Sequence, residues 1–279
     1  MFTLNCKGKL VSIERPLIMG ILNITPDSFY AGSRFTGQTA ILSQAEKLLT
    51  EGADILDIGG QSTRPGAPIV GEEEELRRVI DAVAGIRERF PEAILSIDTW
   101  YAGVAGAAVM AGASIVNDIS GGNQDSAMLD TVGRLGVPYI CMHMKGTQET
   151  MNREAKYEDV TREVLDYFIR KTEDCRRAGI QDVILDPGLG FAKTAAHNLQ
   201  LLRELSVFRM LERPILLGVS RKSVIYKTLG ITAEEALNGT TVLNTLGLLN
   251  GADILRVHDA REARQAVLLL DAYKKANSR

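Results

Sequence analysis

Glu51-Gly52-Ala53-Asp54-Ile55-Leu56-Asp57-Ile58-Gly59-Gly60 contains the repeating plan of the chain. A helical stretch ends, a glycine stops it, an apolar run follows, and the run closes on small or polar residues. Glycine just past a helix supplies the left-handed residue that ends it. The same junction recurs at Ala111-Gly112-Ala113, Ala178-Gly179 and Asn250-Gly251-Ala252-Asp253. Working outward, short apolar runs occupy 17–25, 55–60, 94–99, 114–119, 138–143, 183–188, 214–220 and 254–258. Their ends carry Asn23, Asp57, Asp98, Asn117-Asp118, His143, Asp186, Ser220-Arg221-Lys222 and Arg256-His258-Asp259. Stretches of helical period lie between or after them, at 38–51, 72–90, 101–111, 125–135, 158–178, 196–211, 233–250 and 260–275. Strands alternating with helices predict a parallel sheet with crossovers. Eight such units predict an α/β fold, a (β/α)8 TIM barrel. Leu10-Val11-Ser12-Ile13 and Phe2-Thr3-Leu4 flank a turn-forming segment, so a short N-terminal β-hairpin is expected to plug the barrel bottom.

In such a barrel the C-terminal strand ends build the active site. The polar ends are therefore expected to converge on one pocket. Two long polar loops, 27–37 and 61–71, fall on the same face and suit closure over substrate. The acidic run Glu72–Glu75 opens a helix, where negative charge suits the macrodipole.

The 279 residues are 45% hydrophobic and 24% charged, with no composition break or linker, which suggests one domain spanning 1–279. A net charge of −3 argues against nucleic acid as a partner. No apolar run is long enough for a membrane span, and no basic head precedes a long apolar stretch, so no secretory leader is expected. Cys6, Cys141 and Cys175 are scattered and odd in number, which fits a reducing cytoplasm and argues against a disulfide scaffold or a structural zinc site.

Taken together, the polar ends resemble a known family. Ile21-Leu22-Asn23-Ile24-Thr25-Pro26-Asp27-Ser28-Phe29 resembles the first signature of dihydropteroate synthases, and Gly59-Gly60-Gln61-Ser62-Thr63-Arg64-Pro65-Gly66 their second. Ser96-Ile97-Asp98-Thr99, Val116-Asn117-Asp118-Ile119 and Met142-His143-Met144 follow in family order. So do Asp186-Pro187-Gly188-Leu189-Gly190-Phe191, Gly218-Val219-Ser220-Arg221-Lys222-Ser223 and Arg256-Val257-His258-Asp259. The resemblance covers nearly the whole chain and implies a pterin-binding (β/α)8 barrel. It implies a transferase of folate biosynthesis that joins (7,8-dihydropterin-6-yl)methyl diphosphate to 4-aminobenzoate, the step sulfonamides target.

The resemblance also implies roles that the residue chemistry supports. Asp186 would accept the paired donors of the pterin edge, as a carboxylate can in bidentate fashion. Asn117 both donates and accepts, which suits the mixed remainder of that edge. Asp98 would accept from another ring N–H, and Lys222 would donate near the ring carbonyl. Arg256 would lay its planar guanidinium on the ring face. Asn23, Arg64, Arg256 and His258 match anion-binding positions, with Asn23 beside Mg²⁺. Ser223, Thr63, Pro65 and Phe191 would hold 4-aminobenzoate, and Phe29 would belong to the closing lid. His143 has a weaker claim and would act from behind the site; His197 is expected to be solvated. A homodimer is expected from the resemblance.

One departure stands out. Tyr30-Ala31-Gly32 replaces the family's usual Ser-Asp-Gly, removing a carboxylate from the first loop. A barrel that binds pterin without turning it over therefore stays open. A corrinoid-linked methyltransferase barrel is the nearest alternative, but it has no use for Ser62-Thr63-Arg64-Pro65 or Ser220-Arg221-Lys222-Ser223.

Overall fold

A computed structural model describes residues 1–24, 34–61, 69–147, 149–151 and 153–276. Two short strands, β1 (Phe2–Cys6) and β2 (Lys9–Ile13), pair antiparallel. Eight parallel strands follow: β3 (Leu17–Asn23), β4 (Ile55–Gly59), β5 (Ile94–Asp98), β6 (Ile115–Asp118), β7 (Tyr139–Met142), β8 (Val183–Asp186), β9 (Leu216–Leu217) and β10 (Ile254–Val257). Their order is β8-β7-β6-β5-β4-β3-β10-β9, and a bridge between Leu185 and Ile215 closes the ring. Around it run α1 (Arg34–Thr50), α2 (Glu72–Arg89), α3 (Ala102–Ala111), α4 (Met128–Leu135), α5 (Val160–Arg177), α6 (Ala195–Arg203), α7 (Ser223–Leu229), α8 (Leu237–Leu249) and α9 (Ala260–Ala276). The barrel and its hairpin are those expected from the sequence. Gly52, Gly112, Gly179 and Gly251 all take positive φ at the expected helix-to-strand junctions.

Two segments differ from the sequence pattern. The stretch read as one helix over 196–211 is α6 followed by a tighter 3₁₀ turn, Leu205–Leu211. Leu205 and Phe208 are its buried residues, and their three-residue spacing suits a helix of three residues per turn. The unit after β9 contains α7 as well as α8, so Lys222 and Ser223 lie at a helix start inside the site face.

The period-two alternation of strands sorts side chains to opposite faces. Leu56, Ile58, Leu95, Ile97, Val116, Leu185, Leu217 and Leu255 point outward and pack under the helices, against Val79, Val83, Ile86, Val104, Phe168 and Leu201 among others. Met19, Ile55, Ile115, Ile140, Ile184, Leu216 and Ile254 point inward and form a second cluster with Leu4, Cys6 and Ile13 of the hairpin. The hairpin therefore fills the lower mouth. The Asn5 N–H donates to Asp182 Oδ2 at 2.7 Å and Lys7 Nζ to the Val109 carbonyl at 2.8 Å, fixing it there. No described helix is long and apolar enough to cross a membrane.

Candidate active site

The parity that turns Ile55, Ile115, Ile140, Ile184 and Ile254 inward does the same two residues later. There it presents Asp57, Asn117, Met142, Asp186 and Arg256. Asp98, on β5, shares this level: strand register aligns Asn23 with Gly59, Gly59 with Asp98, and Asp98 with Asn117. Gly59 leaves the row open. A Cβ at that position would sit 3.6 Å from Asn23 Oδ1 and 3.7 Å from Asp98 Oδ2.

Arg256 is the hub. Its Nε donates to Asp57 Oδ2 at 2.6 Å and its Nη2 to Asp98 Oδ2 at 2.6 Å. Asn117 Nδ2 donates to the same Asp57 oxygen at 3.0 Å. Asp57 is fully buried and Asp98 is 8% exposed. Burial pushes the Asp98 carboxyl up to about 7, against the pull of Arg256. Burial alone would lower Arg256, but Asp57 and Asp98 more than offset it and leave the guanidinium firmly charged. Asp57 Oδ1 is buried with no hydrogen-bond partner among the described residues.

Asp186 and Lys222 form the opposite wall. The Asp186 carboxyl is raised by burial, opposed mainly by Lys222, and its Oδ1 accepts from the Gly188 N–H at 2.8 Å. Burial pulls Lys222 down to about 8, with Asp186 opposing. Lys222 Nζ donates to the Leu189 carbonyl and lies 4.6 Å from the centre of the Phe191 ring. At Gly218, a Cβ would meet Lys222 Nζ at 3.7 Å and the Arg256 Cβ at 3.9 Å. Asp98, Asn117, Asp186, Lys222, Arg256 and Phe191 are thus neighbours around one chamber.

The remaining expected residues lie at its rim. Asn23 is exposed at the end of β3. Ser223 opens α7 and is half-buried. His258 is exposed, and its Nδ1 lies 2.9 Å from the buried Ser220 hydroxyl. Phe29, Thr63, Arg64 and Pro65, together with Ala31, lie outside the described residues.

His143 stands behind the chamber. Its Nδ1 is 3.0 Å from Lys193 Nζ, and its ring meets Tyr167 edge-on at 4.9 Å. Burial, reinforced by Lys193, lowers it to about 2, so the imidazole is neutral. His197 is not simply solvated: its Nδ1 accepts from the Thr194 N–H, completing a reciprocal cap on α6.

Three residues had no site role in the sequence reading. Asp57 was only a strand-end residue, yet it joins Arg256 to Asn117. Glu75 was read as part of an acidic helix start, but it is fully buried, with Thr99 the side chain facing its carboxyl. Burial raises it to about 7. Its signal was spacing, since Glu75, Val79, Ala82 and Ile86 fall on one helical face. Lys193 gathers four acceptors at the turn after β8.

Comparison with known proteins agrees with the barrel fold. The family model described as pterin binding enzyme matches residues 19–258. Dihydropteroate synthase of Escherichia coli (strain K12) is 40% identical over 268 residues, covering 95% of this chain and 94% of that protein. The Xanthomonas albilineans dihydropteroate synthase structure with 4-aminobenzoic acid superposes with a TM-score of 0.90 at 39% identity, covering 98% of both chains. The structure of that species' enzyme with 7,8-dihydropteroate gives 0.88 at 36% identity, covering 98% of this chain and 99% of the other. The chain belongs to the pterin-binding enzymes and, among them, to the dihydropteroate synthases, which are transferases.

Proposed function

We propose that this chain condenses (7,8-dihydropterin-6-yl)methyl diphosphate with 4-aminobenzoate, giving dihydropteroate and diphosphate, with Mg²⁺ assisting. The observation that carries the reading is the shared chamber of Asp98, Asn117, Asp186, Lys222 and Arg256. Its carboxylates face donors on a flat heterocycle, and its cations face acceptors and a departing anion.

The residues suggest a dissociative order. The C–O bond to diphosphate breaks and the electron pair leaves with the diphosphate, drawn by Arg64, Arg256 and His258. The positive charge left on the methylene spreads into the pterin ring, where Asp98 and Asp186 stabilise it. The amine of 4-aminobenzoate then forms the C–N bond and releases its proton to solvent or diphosphate. Ser223 holds the carboxylate of 4-aminobenzoate; Thr63, Pro65 and Phe191 flank its ring; Phe29 closes over it.

Among the described residues no group of three or more His, Cys, Asp or Glu side chains could hold a metal alone. The single amide of Asn23, at the rim beside Gly59, suits an ion that keeps waters and takes oxygens from the diphosphate, as Mg²⁺ does. Bound there, Mg²⁺ would neutralise charge on the leaving group.

We further place the enzyme in the cytoplasm, consistent with three reduced, buried cysteines. We assign it a homodimer through the exposed apolar stripe of Val242, Leu246 and Leu249 on α8 beside Leu268, Leu269 and Tyr273 on α9. Light scattering that gives a monomer at micromolar concentration would reject that pairing. The reaction is tested by mixing purified protein with both substrates, with and without Mg²⁺. Equal amounts of dihydropteroate and diphosphate are expected with Mg²⁺, and much less without it. Pterin binding with no product would instead identify a non-catalytic relative.

A further inference from the structure

The turn that follows β8, Pro187–Ala192, carries Phe191, and three of its backbone carbonyls are taken by lysine ammonium groups. Gly188 O and Phe191 O each lie 3.0 Å from Lys193 Nζ. The same ammonium is 3.2 Å from His143 O and 3.0 Å from His143 Nδ1. Three N–H groups thus serve four acceptors drawn from two neighbouring strands' ends. The turn has little freedom to find another shape. Gly188 has φ +67°, and a Cβ there would fall 2.1 Å from His143 O. Ala192, immediately before Lys193, holds the left-handed region at φ +50°. Arg221, immediately before Lys222, does the same at +54°. Each lysine follows a backbone strain that an L-residue tolerates only when its surroundings impose it.

The two lysines grip opposite sides of one turn. Lys222 takes Leu189 O and lies against the Phe191 ring on the chamber side. Lys193 takes Gly188 O and Phe191 O from behind. Lys222 is assigned to substrate; Lys193 has no such role, and it acts on Asp186 only through charge, opposing that carboxyl's burial.

We propose that Lys193 is a positioning residue that holds Phe191 in place for 4-aminobenzoate by tying the turn after β8 to His143 at the end of β7. This rests on the reaction assigned above. Without the ammonium, His143 O and Phe191 O would lose their donor, and Gly188 O would keep only the Phe191 N–H. Buried acceptors left unpaired drive the turn open. Asp186 is held on β8 by strand pairing, its backbone carbonyl accepting from the His143 N–H at 2.9 Å, so the pterin side of the pocket is disturbed less than the Phe191 end of the turn.

The test is steady-state kinetics of wild type, Lys193→Met and Lys193→Arg, varying each substrate in turn. Lys193→Met is expected to raise KM for 4-aminobenzoate about tenfold while KM for the pterin diphosphate moves less than about threefold. Lys193→Arg, which keeps charge and donors, is expected to recover part of that loss. A general loss of folded protein would lower the apparent turnover number and leave both KM values where they were. Both KM values unchanged, or raised equally, in the variants overturns the proposal. If Lys193→Met does not fold, Lys193→Arg decides it alone by the same split between the two KM values. A wild type that makes no dihydropteroate refutes the assigned reaction instead, a result distinguishable from any variant outcome.

Discussion

Ile184 and Asp186 are two residues apart on one strand, both inward, and they inhabit different worlds. Around Ile184 the barrel interior holds Met19, Ile55, Ile115, Ile140, Leu216 and Ile254, closed from below by Leu4, Cys6 and Ile13. Around Asp186, one level higher, it holds Asp57, Asp98, Asn117, Lys222 and Arg256. The same alternation sets both levels. The lower one stabilises the fold by burying apolar surface, at roughly 25 cal/mol per Å². The upper one gathers buried charge, which costs free energy unless each ion is paired. Arg256 between Asp57 and Asp98 meets that condition, whereas Lys222 and Asp186 offset each other's burial through charge without a direct ion pair. Substituting either level should therefore give opposite signatures.

Ile140→Ala should give the largest effect. A cavity in the lower level is expected to lower the unfolding free energy by about 2–5 kcal/mol. Denaturant titration should show this with pterin affinity unchanged in the folded protein. An equal loss of affinity would erase the distinction between the levels.

Asp186→Asn should do the reverse. An amide sets a donor against the ring's donors, so pterin affinity is expected to fall about a hundredfold. Calorimetric titration measures it. A wild-type affinity would remove Asp186 from the pterin edge.

The pH profile sharpens the upper level further. In the proposed reaction Asp98 must be ionised to accept from the ring, and burial raises its pKa to about 7, so activity should rise as pH climbs through that value. In the same proposal Lys222 must be protonated to donate with full charge, and burial lowers its pKa to about 8, so activity should fall as pH climbs past it. A bell-shaped kcat/KM for the pterin substrate is expected, since that quantity reports the free enzyme. In Lys222→Met the alkaline limb should disappear. Persistence of that limb would assign it to another group.

The smallest effect is expected at Ala192→Gly. Relief of left-handed strain, about 1–2 kcal/mol, is set against a lost buried methyl and a more flexible unfolded chain, each up to about 1 kcal/mol. The net change should stay within about 1 kcal/mol. Ala108→Gly in the buried face of α3 has no strain to relieve and should cost about 1–2 kcal/mol. Equal losses at both positions would show that Ala192 is not strained.

The barrel was legible because its signals repeat. Apolar runs, polar ends and the glycines at 52, 112, 179 and 251 recur often enough that no single one carries the fold. The gathering of Asp98, Asn117, Asp186, Lys222 and Arg256 at one end of the barrel was legible for the same reason. Asp57 was harder, since it lies one step below the strand end and its partner Arg256 is 199 residues away. Its place among the polar strand ends marked it for the pocket, but nothing in the spacing marked its partners. Glu75 was concealed by Glu72, Glu73 and Glu74, whose placement at a helix start was explanation enough. Lys193 follows a glycine-rich turn that resembles a phosphate loop only superficially, and its four acceptors come from folding, not from spacing.

The central claim is that the upper level of the barrel receives one pterin ring. A crystal structure with the dihydropterin diphosphate bound tests it most directly. The ring is expected over Arg256, with Asp98, Asn117, Asp186 and Lys222 each within about 3.2 Å of a ring nitrogen or oxygen. A ring seated outside that circle of side chains, with Arg256 still forked between Asp57 and Asp98 and no ligand above it, would contradict the account.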